Sequence, residues 1–165
     1  MNTTQSIDKV RQQLTEAGGR TTQDLGFGRI VGQILVHLYL SRGECSLDDI
    51  AKDLKLSKAA VSIAARQLER LGLLRRLWKA GDRKTYYRTA DDIATALHQG
   101  LLNMVKNKMN LLGTELQQAE ITLSGTSSEP ESEFILGRVK RAKALRDTAM
   151  SALDNPLVKL LTRMK

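Results

Sequence analysis

Aromatic residues make up only 4% of this 165-residue chain, and proline occurs twice. A large sheet is not expected from so few rings, whereas the abundant Ala, Leu, Gln, Lys and Arg predict a mainly helical protein. Cys45 is the only cysteine, which excludes an internal disulfide and any multi-cysteine metal site. It reads as a small buried residue just before a helix cap. His37 and His98 are far apart and have no companion ligands at regular spacing, so neither suggests a metal site. The longest apolar stretch, Ile30 to Leu40, is broken by Gly32, Gln33 and His37 and is too short to cross a bilayer. Met1-Asn2-Thr3-Thr4-Gln5 lacks the basic and apolar succession of a secretory signal. A soluble, cytoplasmic protein with no membrane partner is expected. No phosphate loop, Ser/His/Asp set, Cys/His set or paired carboxylates stand in a recognisable frame, so neither enzyme activity nor a cofactor is expected.

What the chain does have is positive charge in one place. Between Lys55 and Ala90 ten Lys or Arg stand against two acids, Glu69 and Asp82, an excess of eight. The formal net charge of the whole chain is also +8, so the other 129 residues cancel. Such concentration suits a polyanion surface, because neutralised phosphates release counterions.

Within that stretch Ser57 is a good N-cap, and Gly72 sits where a helix closes in the left-handed conformation. At 100° per residue Ala60, Val61, Ala64, Leu68 and Leu71 share one face. Lys58, Ala59, Ser62, Ile63, Arg66 and Arg70 share the other, which is small and basic. Upstream, Ser46-Leu47-Asp48-Asp49 resembles a capping box with Asp at its fourth place, opening a short helix with Leu47, Ile50, Ala51 and Leu54 on one face. Two helices joined by the turn Lys55-Leu56 match the helix-turn-helix, whose second helix lies in the DNA major groove. Downstream, Leu73–Lys79 and Lys84–Thr89 flank Ala80-Gly81-Asp82-Arg83, which predicts a β-hairpin.

At these residues the chain resembles the winged-helix repressors of the MarR superfamily, and more closely the GbsR-like branch. The resemblance is carried by Ser46-Leu47-Asp48-Asp49-Ile50-Ala51, Leu56-Ser57-Lys58, Val61-Ser62, Leu68-Glu69-Arg70, Gly72-Leu73 and Gly81-Asp82-Arg83-Lys84 with Tyr86-Tyr87. It covers about residues 26 to 90 well and the rest in outline. Lys55 stands where many relatives have Gly, so a left-handed backbone there would cost about 1 kcal/mol. Ile63 stands where Arg is frequent, so base preference does not transfer simply. By resemblance, Arg83 is the wing-tip contact, and a redox role for Cys45 is the alternative to burial. GbsR-like relatives are associated with choline and osmoprotectants. A quaternary ammonium is best held by an aromatic cage, and beyond residue 90 only Phe134 is aromatic, so that ligand is not carried over.

The remaining segments read as helices. Ile7, Val10, Leu14 and Ala17 predict a helix over residues 4–17 ending at Gly18-Gly19, packed either on its own domain or across to a second subunit. Gly26–Leu40, with Ile30, Ile34, Leu35, Leu38 and Tyr39, predicts the central buried helix, where Gly28 and Gly32 either permit close packing or are simply tolerated. From Asp91 a helix of over thirty residues, about 45 Å long, carries Ile93, Leu97, Leu101, Met104, Val105, Leu112 and Leu116. Its stripe needs cover, most simply from the same helix of another subunit. After a break at 124–130, an antiparallel helix from Glu131 to Leu153 carries Phe134, Ile135, Val139, Ala142, Leu145, Ala149 and Leu153 inward, followed by a short helix from Asn155-Pro156 to Met164. Arg138, Lys140, Arg141, Lys143 and Arg146 read as a solvated face, with a second nucleic-acid contact as the alternative.

The expected fold class is therefore mainly α. Residues 1–90 form a winged helix-turn-helix domain with an N-terminal helix and a small β-hairpin wing, and residues 91–165 supply long C-terminal dimerisation helices. The expected function is a homodimeric, sequence-specific transcriptional regulator, a repressor, on an inverted-repeat operator in double-stranded DNA. The DNA-binding residues are Ser57, Lys58, Ala59, Ser62, Ile63, Arg66, Arg70, Arg83 and Lys84. The dimerisation residues are Leu97, Leu101, Met104, Leu112, Leu116, Phe134 and Leu145. An effector, if there is one, must bind two arrangements of the dimer with different affinity. The competing readings are a winged helix used as a protein-interaction or assembly module, whose DNA affinity would lack a steep salt dependence, and a nonspecific nucleoid or RNA binder, which would not favour one site over bulk DNA.

Overall fold

A computed structural model describes residues 3–125 and 129–154. The short helix expected from Asn155 to Met164 lies outside them. The elements run α1 (Thr3–Asp24), α2 (Arg29–Tyr39), β1 (Cys45–Ser46), α3 (Leu47–Asp53), α4 (Lys58–Arg70), β2 (Leu74–Trp78), β3 (Thr85–Thr89), α5 (Ile93–Ser124) and α6 (Pro130–Asp154). The result is a mainly helical winged-helix fold followed by a helical region. The chain divides into two compact units, residues 1–100 and 101–165.

In the first unit three helices and a small sheet close on one core. Val31, Ile34 and Leu38 of α2 meet Ile50 of α3, Val61, Ala64, Ala65 and Leu68 of α4, then Leu73, Leu74 and Tyr87 around the sheet. The sheet is antiparallel with order β1-β3-β2. Leu74 pairs with Thr89 and Trp78 with Thr85, while Cys45 and Ser46 add a two-residue third strand along β3. That strand was not expected, because two residues carry no periodicity.

Helix α1 corrects an expectation. It does not stop at Gly18-Gly19 but runs to Asp24. Its true end is Gly26, with φ +82, where the Gly26 amide donates to the Gln23 carbonyl and the Phe27 amide to that of Thr22, the paired closure of a Schellman motif. The internal glycines serve packing instead. A Cβ on Gly32 would lie 2.1 Å from the Gly18 carbonyl oxygen, and one on Gly18 would lie 2.5 Å from Val36 Cγ2. The Thr22 hydroxyl fastens the crossing, donating to the Gly28 carbonyl at 2.9 Å and accepting from the Gly32 amide at 3.1 Å. Helix α1 therefore packs on α2 of its own chain. Tyr39, expected in the core, is exposed at the end of α2.

In the second unit α5 and α6 run antiparallel. Half-buried positions alternate by four and three residues on both: Leu102, Lys106, Met109, Gly113, Leu116, Glu120 and Leu123 on α5, and Leu136, Val139, Lys143, Arg146, Met150 and Leu153 on α6. That is a coiled-coil spacing with polar layers. Lys143 donates to Glu120 at 2.8 Å, and Arg146 reaches the Met109 carbonyl at 2.9 Å through space left by Gly113. No residue of α6 is buried, so Phe134, Ile135 and Leu145, expected inward, face out of the single chain. Among the described residues no helix is long and apolar enough to cross a membrane.

Candidate nucleic-acid interface

Three local devices aim α4. First, Ser46 is buried and caps α3: its hydroxyl oxygen accepts from the Asp49 amide at 3.1 Å and its proton goes to the Asp49 carboxylate at 2.6 Å. That bond, the largest cause, holds the Asp49 carboxyl below its usual range. Second, the turn between the helices is itself a Schellman motif, with the Lys55 amide on the Lys52 carbonyl and the Leu56 amide on that of Ala51. Lys55 occupies the left-handed position at φ 54, the only non-glycine with positive φ among the described residues. Third, Ser57 caps α4, accepting from the Ala60 amide at 3.2 Å, and Gly72 at φ +73 closes its other end with amides from Gly72 and Leu73 on the Glu69 and Leu68 carbonyls.

With both ends fixed, the helix turns one side inward. Val61, Ala64, Ala65 and Leu68 are buried. Ser57, Lys58, Ala59, Ile63, Arg66 and Arg70 are exposed and Ser62 is half-buried, so these seven share the outward side. Ile63 is 62% exposed, which is unusual for an isoleucine on a well-packed domain.

The wing is held by a residue that charge counting treats as an intruder. Asp82 accepts from the Lys84 amide at 2.8 Å and from the Tyr86 hydroxyl at 2.6 Å, while its own amide donates to the Lys79 carbonyl at 3.1 Å. The Tyr86 bond is the leading cause of its lowered carboxyl pKa. With Gly81 at φ +80, these bonds shape the tip that carries exposed Arg83 and Lys84. The strands end sooner than expected, at Trp78 and Thr85, and Trp78 is 71% exposed.

The ten cations divide into two groups. Lys58 pairs with Asp48 at 2.5 Å, Arg75 and Arg88 with Asp91, Arg76 with Glu69 at 3.0 Å, and Lys79 with Glu44 at 2.9 Å. Three of these acids, Glu44, Asp48 and Asp91, stand just outside residues 55–90 and were invisible to a count within that window. Among the described residues, Lys55, Arg66, Arg70, Arg83 and Lys84 form no ion pair. Glu69, the one acid on α4, is turned toward β2, where Arg76 also lies over the Tyr87 and Trp78 rings. The outward surface therefore keeps its positive sign. Lys55 and Asp82 are the functional candidates that sequence reasoning left out. Lys55 was within the charge count, whereas nothing in the pattern marked Asp82 as structural. Among the described residues no group of His, Cys, Asp and Glu could hold a metal ion.

The expected dimerisation residues lie along α5 and α6. Leu97, Leu112, Phe134 and Leu145 are exposed, whereas Leu101, Met104 and Leu116 are half-buried, Leu116 within the α5–α6 seam.

Comparison with known proteins gives one matching family model and a shared fold. Residues 33–86, from α2 through the wing, match the model of the MarR family. A solved structure described as a transcriptional regulator is 21% identical, covers 93% of this chain and 99% of its own, and superposes with a TM-score of 0.70, which shows a shared fold. A MepR mutant of S. aureus bound to an oligodeoxyribonucleotide is 18% identical over 88% of this chain and 99% of its own, with a TM-score of 0.42. The YusO protein from Bacillus subtilis is 20% identical over 72% and 85%, with a TM-score of 0.40. No curated protein matches the sequence.

Proposed function

We propose that the protein is a homodimeric, sequence-specific DNA-binding transcriptional regulator of the MarR type, acting as a repressor on an inverted-repeat operator. The observation that carries this reading is the outward side of α4 and the wing tip, where unpaired cations flank exposed Ile63 on a rigidly capped helix. In this reading α4 lies in the major groove. Arg66 reaches bases and phosphates without breaking an internal ion pair, whereas Lys58 must exchange Asp48 for its target. Ser62 supplies a hydrogen bond, and Ala59 and Ile63 meet thymine methyls. Arg83 and Lys84 grip the neighbouring backbone or a narrow minor groove. Residues 1–90 do the reading and 91–165 pair two copies, the exposed apolar residues of α5 and α6 being covered by a second chain. Two-fold symmetry sets the half-sites about one helical turn apart. The motif around Gly81-Asp82-Arg83-Lys84 and Tyr86-Tyr87 supports the GbsR-like branch. As a DNA reader it would act in the cytoplasm, and no enzymatic step belongs to this reading.

The test is the salt dependence of duplex binding. A steep slope that becomes shallower by about one phosphate in Arg66→Ala supports the proposal. A flat slope unchanged by the substitution favours the second reading, a protein-interaction module working through the exposed apolar residues Leu111, Ile121, Phe134 and Leu145.

A further inference from the structure

Behind the helix-turn-helix lies a group the reading above does not use. His37, in the last turn of α2, has an enclosed Nε2 with no hydrogen-bond partner. The nearest carboxylate is that of Asp53, the final residue of α3, whose Oδ2 is 3.6 Å away and beyond hydrogen-bond reach. Both line a cleft of about 460 Å³ between α1, α2 and the helix-turn-helix turn. Its other charged walls are Asp8, Arg11 and Glu16 of α1 and Lys55 of the turn. Glu16 is already engaged, by Arg29 and by the Gln33 amide at 2.9 Å. Burial is the main reason the imidazole pKa falls below 6.5; Asp53 opposes that fall and Arg11 adds to it. The resting ring is neutral at neutral pH.

We propose that His37 and Asp53 form a proton-controlled latch: protonated His37 donates from Nε2 to Asp53, and duplex DNA is held more tightly in that state. The DNA half of this inference rests on the function proposed above. Asp53 stands two residues before Lys55 and is 55% exposed. In that reading phosphates drawn to Lys55 come near this carboxylate. A carboxylate there repels phosphate, and an imidazolium bonded to it removes the repulsion. Conversely, phosphates arriving near Lys55 favour the charged ring. Linkage makes the two statements one, since whatever raises the proton affinity on binding DNA is matched by tighter DNA binding on protonation. The chain has two histidines, His37 and His98, so the histidine part of the linkage has two sources to separate.

The experiment has two arms on the full chain. In the first, NMR follows the His37 ring across a pH titration without DNA. The ring titrates below 6.5 in the wild type. Asp53→Asn moves the midpoint lower still, and Arg11→Gln moves it up. A midpoint indifferent to Asp53→Asn overturns the latch. In the second arm, a mixed-sequence duplex at low salt is titrated at about pH 7.5 and about pH 5.5. A rise of half a unit to one unit in the ring's pKa on binding gives up to about three- to tenfold tightening on acidification beyond that of His37→Gln. His98→Gln behaves as wild type. Equal pH dependence in wild type and His37→Gln overturns the coupling. If no duplex is bound at any pH, the proposed function fails along with the coupling, while the first arm still decides the latch.

Discussion

Asp82→Ala removes a negative charge from the most basic part of the surface, raising the formal net charge from +8 to +9. If charge alone governed DNA affinity, the variant would bind more tightly, with the salt slope steepened by up to about 0.9. The wing geometry predicts the reverse. Asp82 holds the Lys84 amide and the Tyr86 hydroxyl, and without them the tip carrying Arg83 and Lys84 loses its fixed form. Two phosphate-directed cations then have to be ordered on binding, so the slope becomes shallower by about one to two and affinity falls about three- to tenfold at moderate salt. Asp82→Asn is the control. It makes the same charge change, but its amide oxygen still accepts from Lys84 and its NH₂ can donate to the Tyr86 oxygen. Binding of both variants to one duplex is measured by fluorescence anisotropy across a salt series. Loss in Asp82→Ala with retention in Asp82→Asn supports a preorganised wing. Equal tightening in both refutes it.

Gly32→Ala places a methyl 2.1 Å from the Gly18 carbonyl oxygen and 2.4 Å from the Thr22 hydroxyl, so the α1–α2 crossing must open. A loss of about 2–4 kcal/mol in urea unfolding is expected, and a change within about 0.5 kcal/mol would show that the helices do not cross there. Lys55→Gly relieves the left-handed lysine in the helix-turn-helix turn and should stabilise by about 0.5–1 kcal/mol, since the steric relief exceeds the entropy glycine adds to the unfolded chain; destabilisation would refute the turn geometry. Ser46→Ala should cost about 1 kcal/mol at neutral pH. The Asp49 carboxyl is held below its unfolded pKa, so its stabilisation is present above that pKa and lost as pH falls through the folded one. Ser46→Ala should therefore flatten the acid limb of the stability curve, and an unchanged limb would remove the Ser46–Asp49 bond from the explanation. Leu112→Glu with Leu145→Glu places charge on two exposed apolar positions; sedimentation should show monomers, and a persistent dimer would move the pairing surface elsewhere.

Much of the first unit was legible in the sequence because its determinants are local. Ser46, Ser57 and Gly72 each act within a few residues, so both helices and their ends could be placed from spacing alone. The outward side of α4 follows from the same 100° rule, although Ala65 joined the buried side unannounced. Failures came where a distant contact decides. Gly18-Gly19 looks like a helix stop until α2 crosses it, and then the missing Cβ atoms are the reason the helix continues past them. Gly26 was the stop, but it was read as the start of the next helix. Asp82 was counted as a charge although its role is to shape the wing, because a side-chain bond to Tyr86 leaves no periodic trace. On α5 and α6 the apolar and polar residues alternate too irregularly for the pattern to say which face meets the neighbouring helix. Lys143 and Arg146, taken for a solvated face, lie on that seam.

The measurement closest to the central claim is selection of bound duplexes from a random pool with the full chain, repeated with Ile63→Ala. The wild type should recover a palindrome with half-sites about one helical turn apart, and Ile63→Ala should change the preferred bases within each half-site. Recovery of no common sequence, or of the same palindrome at the same strength from both proteins, would contradict base reading by the outward side of α4.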